Sequence, residues 1–370
     1  MKKLIVAILL ASTGVAGAGA ASAADGLTVS GFATVTGGKA YDGYTGDFLE
    51  FKCPCFIGNY EHGATYEKDR FSFDKESLAG LQLKYQFSPK LSGTVQVVAR
   101  ASEDLKPEVD WAYLSYQLTP DVTLQVGRRR LPIYAYSDSV YVGYTLPWVR
   151  VPQDIYGWEI GAYNGANISY TTSLGSWALT GNLFAGQEKS KDNIELRKIY
   201  YGFRVDDAWK KIVGGYLDAS NDIFGARLMY MQNTMDQTFF PPGEAAYSEL
   251  GVRQRIIGLS ASMDYKNWLV RAEANTFMRP SLDYKSSSWT TSLGYRWGEF
   301  TPLVGYSSYT ERLTPGYTET QIDSTRFVAV RWDFRKNMDL KLQFDSVIDH
   351  SAYSFTNNAK MLSVSLDVIF

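Results

Sequence analysis

Hydrophobic and polar residues alternate along most of this chain with a period of two. In the last nine residues, Leu362 to Phe370, five apolar side chains occupy one parity, and Ser363, Ser365 and Asp367 occupy the other. Successive side chains of a β-strand point to opposite faces, so this pattern predicts a strand with one apolar and one polar face. Similar segments recur from residue 29 onward.

Turn-forming residues divide this pattern into sixteen predicted strands. Short turns are expected at 88–90, 119–121, 174–175, 220–221, 266–267, 298–299 and 336–337. Longer connections alternate with them, at roughly 37–76, 102–108, 131–160, 187–209, 233–252, 280–287, 312–323 and 350–359. Strict alternation of short turns and long loops is typical of barrels in the outer membrane. We therefore expect an all-β fold, a transmembrane antiparallel β-barrel of 16 strands.

The composition agrees with a barrel in lipid. The chain has 26 Tyr, 19 Phe and 9 Trp, and its mean hydropathy is −0.20. A membrane protein is this polar when half of its strand residues face water inside a barrel. Aromatic residues beside the short turns are expected to form a girdle at the membrane boundary: Tyr85, Phe87, Tyr265, Trp268 and Trp297.

Both ends of the chain indicate export. Lys2 and Lys3, an apolar run and Ala21-Ser-Ala23 predict a signal peptide over residues 1–23, leaving 24–370 as a single transmembrane β-barrel domain. The terminal Phe370 resembles the signal that outer-membrane proteins present to the barrel assembly machinery. This resemblance implies the outer membrane of a Gram-negative bacterium, with its lipid and lipopolysaccharide as neighbours. The net charge of −2 gives no basic excess for nucleic acid.

The third long connection is unusually apolar for a surface loop. Residues 131–156 include Tyr134, Tyr136, Tyr144 and Trp148, which need a surface to pack against. We expect this segment to fold inward and to constrict the pore.

The chain resembles the sixteen-stranded trimeric porins over its mature length, because long third loops that narrow the pore characterise them. Gly127-Arg-Arg-Arg-Leu-Pro132, followed by Pro147-Trp-Val-Arg150, is also similar to the phosphate-selective and dicarboxylate-type porins. The acidic loop motif of general porins and a phosphate-binding lysine cluster are absent. The resemblance implies a homotrimer with an aqueous channel for passive diffusion of small hydrophilic solutes.

Charged residues are expected to set the ion preference of that pore. The candidates for the constriction are Arg128, Arg129, Arg130, Tyr134, Tyr136, Asp138, Tyr144, Trp148, Arg150 and Asp154. By parity the lumen wall carries Arg100, Arg227, Arg271, Arg296, Arg331 and Arg335. Rings of arginine favour anions, so a weak anion preference is expected. Alternatively, these arginines pair with wall carboxylates and brace the loop.

The residues for other chemistry are sparse. His62 and His350, the two histidines, fall in predicted outer loops, so no catalytic site, no cofactor and no metal site is expected. Cys53-Pro-Cys55 leaves three alternatives open: a local disulfide, two intermolecular bridges, or a metal or haem contact.

Two further functions compete with passive diffusion. The loop aromatics, together with Trp158, would suit a substrate-selective channel in which sugars or aromatic and organic acids stack. The barrel would otherwise be a non-conducting structural or adhesive protein, or a sheath around an electron-transfer partner.

Overall fold

The computed structural model describes residues 26–68, 70–312, 321–351 and 358–370, so the predicted signal peptide lies outside the described residues. In chain order the strands are β1 (Leu27–Gly43), β2 (Gly46–Phe48), β3 (Phe51–Cys53), β4 (Phe56–Asn59), β5 (Ala64–Tyr66), β6 (Leu78–Ser88), β7 (Leu91–Arg100), β8 (Pro107–Thr119), β9 (Val122–Arg130), β10 (Ala162–Leu174), β11 (Trp177–Ser190), β12 (Val205–Ser220), β13 (Phe224–Phe239), β14 (Tyr247–Tyr265), β15 (Trp268–Arg279), β16 (Tyr284–Tyr295), β17 (Phe300–Arg312), β18 (Ile322–Arg335), β19 (Met338–Asp349) and β20 (Ala359–Ile369).

Strand β1 and strands β6 to β20 form one closed antiparallel barrel. These are sixteen strands, and the predicted number and class of fold are confirmed. Each strand pairs with its neighbours in sequence, and β20 closes the barrel against β1 with Val35 opposite Leu366. Closure gives every strand two partners, so the barrel has no open edge.

All seven predicted short turns join consecutive strands, and the long connections alternate with them at the other end of the barrel. The fourth and fifth loops are shorter than expected because β12, β13 and β14 extend further. In β12 the register shifts between Lys210 and Val213, around a positive φ of 53° at Lys211. This bulge reverses the parity of the strand and interrupts the sequence pattern there.

The outer face carries the apolar band that lipid requires. On β16 Trp289 and Leu293 are exposed, as are Leu362 and Phe370 at the chain end. The predicted girdle residues beside the short turns are exposed as well, Trp297 most of all at 77%. Helices of the described residues are all too short or too polar to cross a membrane.

The inner face is polar on one side and apolar on another. Ser363, Ser365 and Asp367 of β20 point inward and are fully buried. Across β11 to β15, in contrast, inward side chains form an apolar cluster with the base of the third loop: Phe184, Trp209, Ile212, Met229, Met231, Met235, Val252, Ile256 and Phe277. The sequence reasoning expected a polar lumen wall throughout, and this apolar inner patch was missed.

Two long connections fold into the barrel. Loop 1 (residues 44–77) contains the hairpins β2–β3 and β4–β5, and its Phe56 and Tyr66 pack against Met361 of β20. Cys53 and Cys55 of this loop form a disulfide, the first of the three alternatives. The third loop (residues 131–161) lies beside loop 1, so both narrow the lumen.

Candidate functional site

Arg150 joins the third loop to loop 1 and to the barrel wall. Its guanidinium donates to Glu76 at 2.7 Å, to Asp345 at 2.9 Å and to Ser363 at 2.6 Å. The side chain of Arg150 is only 5% exposed, so both of its ion pairs lie out of water. Arg150 therefore anchors the loop and does not present the free positive charge that was expected of it.

The tip of the third loop is held by backbone carbonyl groups. Lys341 of β19 donates to the Gly143 carbonyl at 2.7 Å, and Arg331 of β18 donates to the Tyr144 carbonyl at 2.7 Å. Lys341 also pairs with Asp367 at 2.9 Å. Because a loop buried in a barrel has no water for its carbonyl groups, these donors satisfy them.

Carboxylates fix the far half of the loop to β15, β17 and β18. Glu273 accepts from the Ala135 backbone N–H at 2.8 Å and from the Tyr156 hydroxyl at 2.7 Å. Asp154 accepts from Ser307 at 2.6 Å and from Thr325 at 3.2 Å. Burial raises the pKa of Asp154, although both hydroxyl groups oppose the shift. Asp154, a predicted constriction residue, is thus a buried anchor.

Arg130 lies in a buried cluster that links loop 1, the third loop and the wall. It donates to Glu61 at 2.7 Å and to the Tyr141 hydroxyl at 2.6 Å, and Arg100 covers the Tyr141 ring at 4.3 Å. Burial opposes ionisation of Glu61, but Arg130 and His62 outweigh it and lower the pKa of Glu61 to about 2. This cluster closes the space between the two loops.

Arg129 and Asp138, two of the predicted constriction residues, form a partly exposed ion pair. Their side chains lie 3.3 Å apart, and the Asp138 side chain is 47% exposed. Arg129 packs over the rings of Trp111 and Tyr113. Arg128 points to the outer end, where it pairs with Glu188 at 2.6 Å. The three consecutive arginines therefore do not act together.

The wall arginines are also paired. Arg100 lies 3.7 Å from Asp110, and Arg227 lies 2.7 Å from Asp218. Arg271 and Arg296 share Asp264, and Arg331 contacts Asp333 and Asp339. Arg335 is exposed at the end of β18, beyond a register shift after Trp332, so parity no longer places it inside. The alternative in which these arginines brace the structure describes the other five.

The loop aromatics pack on one another rather than lining a track. Tyr134 and Tyr156 have ring centroids 4.4 Å apart, and Tyr136 meets the edge of Trp148 at 5.5 Å. Trp158 lies on Phe277 at 3.7 Å, and Tyr144 is covered by Arg331. Tyr136, Trp148 and Tyr156 also line a cavity at the short-turn end.

Cavities lie on both sides of the third loop. The inner cavity, of about 300 Å³, opens toward the short turns beside Ser262 and Arg271. The smaller outer cavity, about 430 Å³, lies between Arg128 and Arg197. The larger outer cavity, about 680 Å³, lies between the fourth loop (residues 191–204) and the β15–β16 connection. The barrel therefore holds water-sized space above and below its constriction.

Sequence reasoning missed the residues of loop 1 that complete the constriction. Glu61 and Glu76 supply the carboxylates for Arg130 and Arg150, and His62 lies 2.7 Å from the Tyr141 hydroxyl. The available signal was the apolar content of loop 1, with Phe51, Phe56 and other aromatic residues that resemble those of the third loop.

Comparisons with solved structures identify the class of fold. The outer membrane channel DcaP of Acinetobacter baumannii is similar with a TM-score of 0.59 and 10% identity, over 94% of this chain and 99% of that one. An anion-selective porin from Comamonas acidovorans has a TM-score of 0.55 and 12% identity, over 93% and 99%. The trimer form of OmpT, an outer membrane protein of Vibrio cholerae, has a TM-score of 0.55 and 10% identity, over 94% and 100%.

No family model and no curated protein matches the sequence. The chain nevertheless has the fold of the Gram-negative outer-membrane porins. The closed barrel and its exposed apolar outer band identify an outer-membrane protein.

Proposed function

We propose that the barrel is a porin that lets small hydrophilic solutes diffuse passively through an aqueous channel, without catalysis. The observation that carries this proposal is the uneven burial of the inner wall. Beneath the third loop Lys341, Ser365 and Asp367 are fully buried. Across the lumen, Ser115 of β8 and Gln125 of β9 also point inward but remain partly exposed. The third loop therefore packs against β19 and β20, which leaves space for water beside β8 and β9.

Solutes would then pass along the inner faces of β8 and β9. Arg129 of β9 forms an ion pair with Asp138 of the third loop at 3.3 Å, and this pair would flank the passage. Such a pair orients dipolar solutes and leaves little net charge to reject either ion.

The ion preference of the channel depends on the net charge of the side chains that line it. Nine of the ten arginines expected to attract anions have a carboxylate within 4.0 Å, Arg335 being the other. Seven acidic side chains and five lysines or arginines line the smaller outer cavity. Five acidic side chains and one arginine line the larger one. These charges favour a weak cation preference. The weak anion preference expected from sequence is the competing outcome.

Thiol modification tests the passage directly. Both native cysteines are in the disulfide, so a Ser115→Cys variant carries one reactive thiol. A cationic methanethiosulfonate reagent should lower its single-channel conductance in a planar bilayer. A Ser365→Cys variant is the matched control, because Ser365 is fully buried beneath the loop and should not react. Unchanged conductance after complete modification of Ser115→Cys would contradict the passage.

Three further measurements complete the proposal. The reversal potential across a salt gradient decides the ion preference, since its sign differs for cations and anions. Absence of any conductance from the pure protein would favour the non-conducting structural class. Saturable block by a sugar or an organic acid would favour the substrate-selective channel.

The assembly is proposed to be a homotrimer inserted by the barrel assembly machinery, in contact with lipopolysaccharide. The likeness to a trimeric outer-membrane protein supports this proposal through the fold. Chemical cross-linking of the protein in native membranes should give a band of three subunits.

A further inference from the structure

We propose that the larger outer cavity binds small organic cations that carry guanidinium or ammonium groups. The cavity lies at the long-loop end, and its rim includes Tyr201, Glu249 and Asp283. Its floor is formed by Trp158, Glu195 and other buried residues. This binding goes beyond passive diffusion and does not depend on it.

Two residues that line the cavity have carboxylate oxygens without a protein donor. Glu195 is 1% exposed, and its Oε2 has no hydrogen-bond partner in the described part of the chain. Oε2 of Glu159 is likewise buried without a partner, while its Oε1 accepts from Arg279. A buried carboxylate oxygen without a donor costs free energy, so a ligand rich in N–H groups would be stabilised here.

Arg279, which lines the cavity, shows how its neighbours hold a guanidinium group. Arg279 lies 5.2 Å from the Trp158 ring centre and 5.3 Å from that of Tyr284. Its Nη2 donates to Glu159 at 2.6 Å. Aromatic faces combined with a carboxylate are the usual recognition elements for organic cations. Glu195, Glu249 and Tyr201 offer the same elements to a second cation in the open part of the cavity.

The volume of the cavity and the spacing of its carboxylates favour an organic cation over a metal ion. Within the described residues no three His, Cys, Asp or Glu side chains lie close enough together to hold a metal. The carboxylates instead surround a space of about 680 Å³, which is typical of sites for small organic molecules. Five acidic side chains and one arginine line the cavity, so it offers an anion a single cationic partner.

Calorimetric titration of the purified full chain in detergent tests this site without any conductance measurement. Agmatine, with a guanidinium at one end and an ammonium at the other, should bind saturably at one site per chain. Succinate and glucose serve as anionic and neutral probes and should not bind. Failure of agmatine to bind, or equal binding of glucose, would overturn the proposal and leave the channel proposal standing.

Variants identify the carboxylates involved. Glu195→Gln keeps the shape of the side chain and replaces one acceptor oxygen with an amide donor, so agmatine affinity should fall about tenfold or more. Glu249→Gln changes an exposed rim residue and should weaken binding by a smaller factor, which provides a test if the first variant does not fold. Glu244→Gln is the matched control, because Glu244 is exposed in the fifth loop outside the cavity. Wild-type affinity in both cavity variants would refute the assignment.

Discussion

Gly31 and Phe370 exchange two backbone hydrogen bonds at the seam where the first and last strands of the barrel meet. The Gly31 N–H donates to the Phe370 carbonyl at 2.8 Å, and the Phe370 N–H donates back at 2.9 Å. A Cβ on Gly31 would lie 2.3 Å from the Phe370 ring. The ring therefore covers the glycine, and the last residue of the chain needs a neighbour without a side chain.

Substitution of Gly31 should weaken this seam. In a Gly31→Ala variant the new methyl group displaces the Phe370 ring, at a cost of about 1–3 kcal/mol. The fraction of protein that reaches the heat-resistant folded form, measured by unheated gel electrophoresis, should fall. Gly181→Ala is the control, because a Cβ there meets only Leu217 at 3.6 Å. Equal folding of the two variants would show that the contact has no role.

Removal of the Arg150 charge should destabilise the barrel. In Arg150→Met, Glu76 and Asp345 remain as buried carboxylates without a cation, which costs about 3–5 kcal/mol. The midpoint of thermal unfolding, followed by circular dichroism in detergent, should fall clearly. Adding Glu76→Gln and Asp345→Asn to the same chain should recover part of the loss. Arg197→Met removes a pair that is 38% and 47% exposed and should change the midpoint little.

The Glu61–Arg130 pair should make stability depend on acid. The pKa of Glu61 is lowered from 4.5 to about 2, so the folded state favours the ionised carboxylate. This stabilisation is complete at pH values above 4.5 and is lost as the pH falls toward 2. Glu61→Gln should therefore unfold at a lower temperature than wild type at pH 7, and the difference should vanish near pH 2. A difference that stays constant with pH would contradict this assignment.

The apolar inner patch should behave like a protein core. Ile256 points into the lumen but is fully buried against the base of the third loop. Ile256→Ala should lower the free energy of unfolding by about 2–5 kcal/mol. Ser260 lies four residues further along the same inner face and lines the inner cavity. Ser260→Ala should therefore have little effect. If both variants were equally stable, the loop base would not be packed there.

The strands were predictable from sequence because each is a local pattern. Alternation gives the two faces, and residues such as Gly175 and Asn337, with positive φ, mark the turns. The apolar inner patch was not predictable in the same way, because parity alone assigns any apolar set to the lipid side. The bulge at Lys211 then conceals that Trp209 faces inward.

The candidate site was predictable in its location but not in its partners. The aromatic content of residues 131–156 indicated an inward fold, since those rings need a surface. Arg150, however, pairs with Asp345, which is 195 residues away in sequence. No local pattern determines a pair at such separation, so the sequence left open whether each arginine was free or paired with a wall carboxylate.

The contacts of the third-loop tip also relate the final position of the loop to the completion of the barrel. Gly143 lies against Thr34 of the first barrel strand and Asp367 of the last, and it accepts from Lys341 of β19. Because Lys341 and Asp367 belong to the last two strands, the loop cannot take this position until β19 and β20 have joined the barrel. A barrel without β20 would leave this loop open to an added protease, so protection of the loop from cleavage would mark a completed barrel.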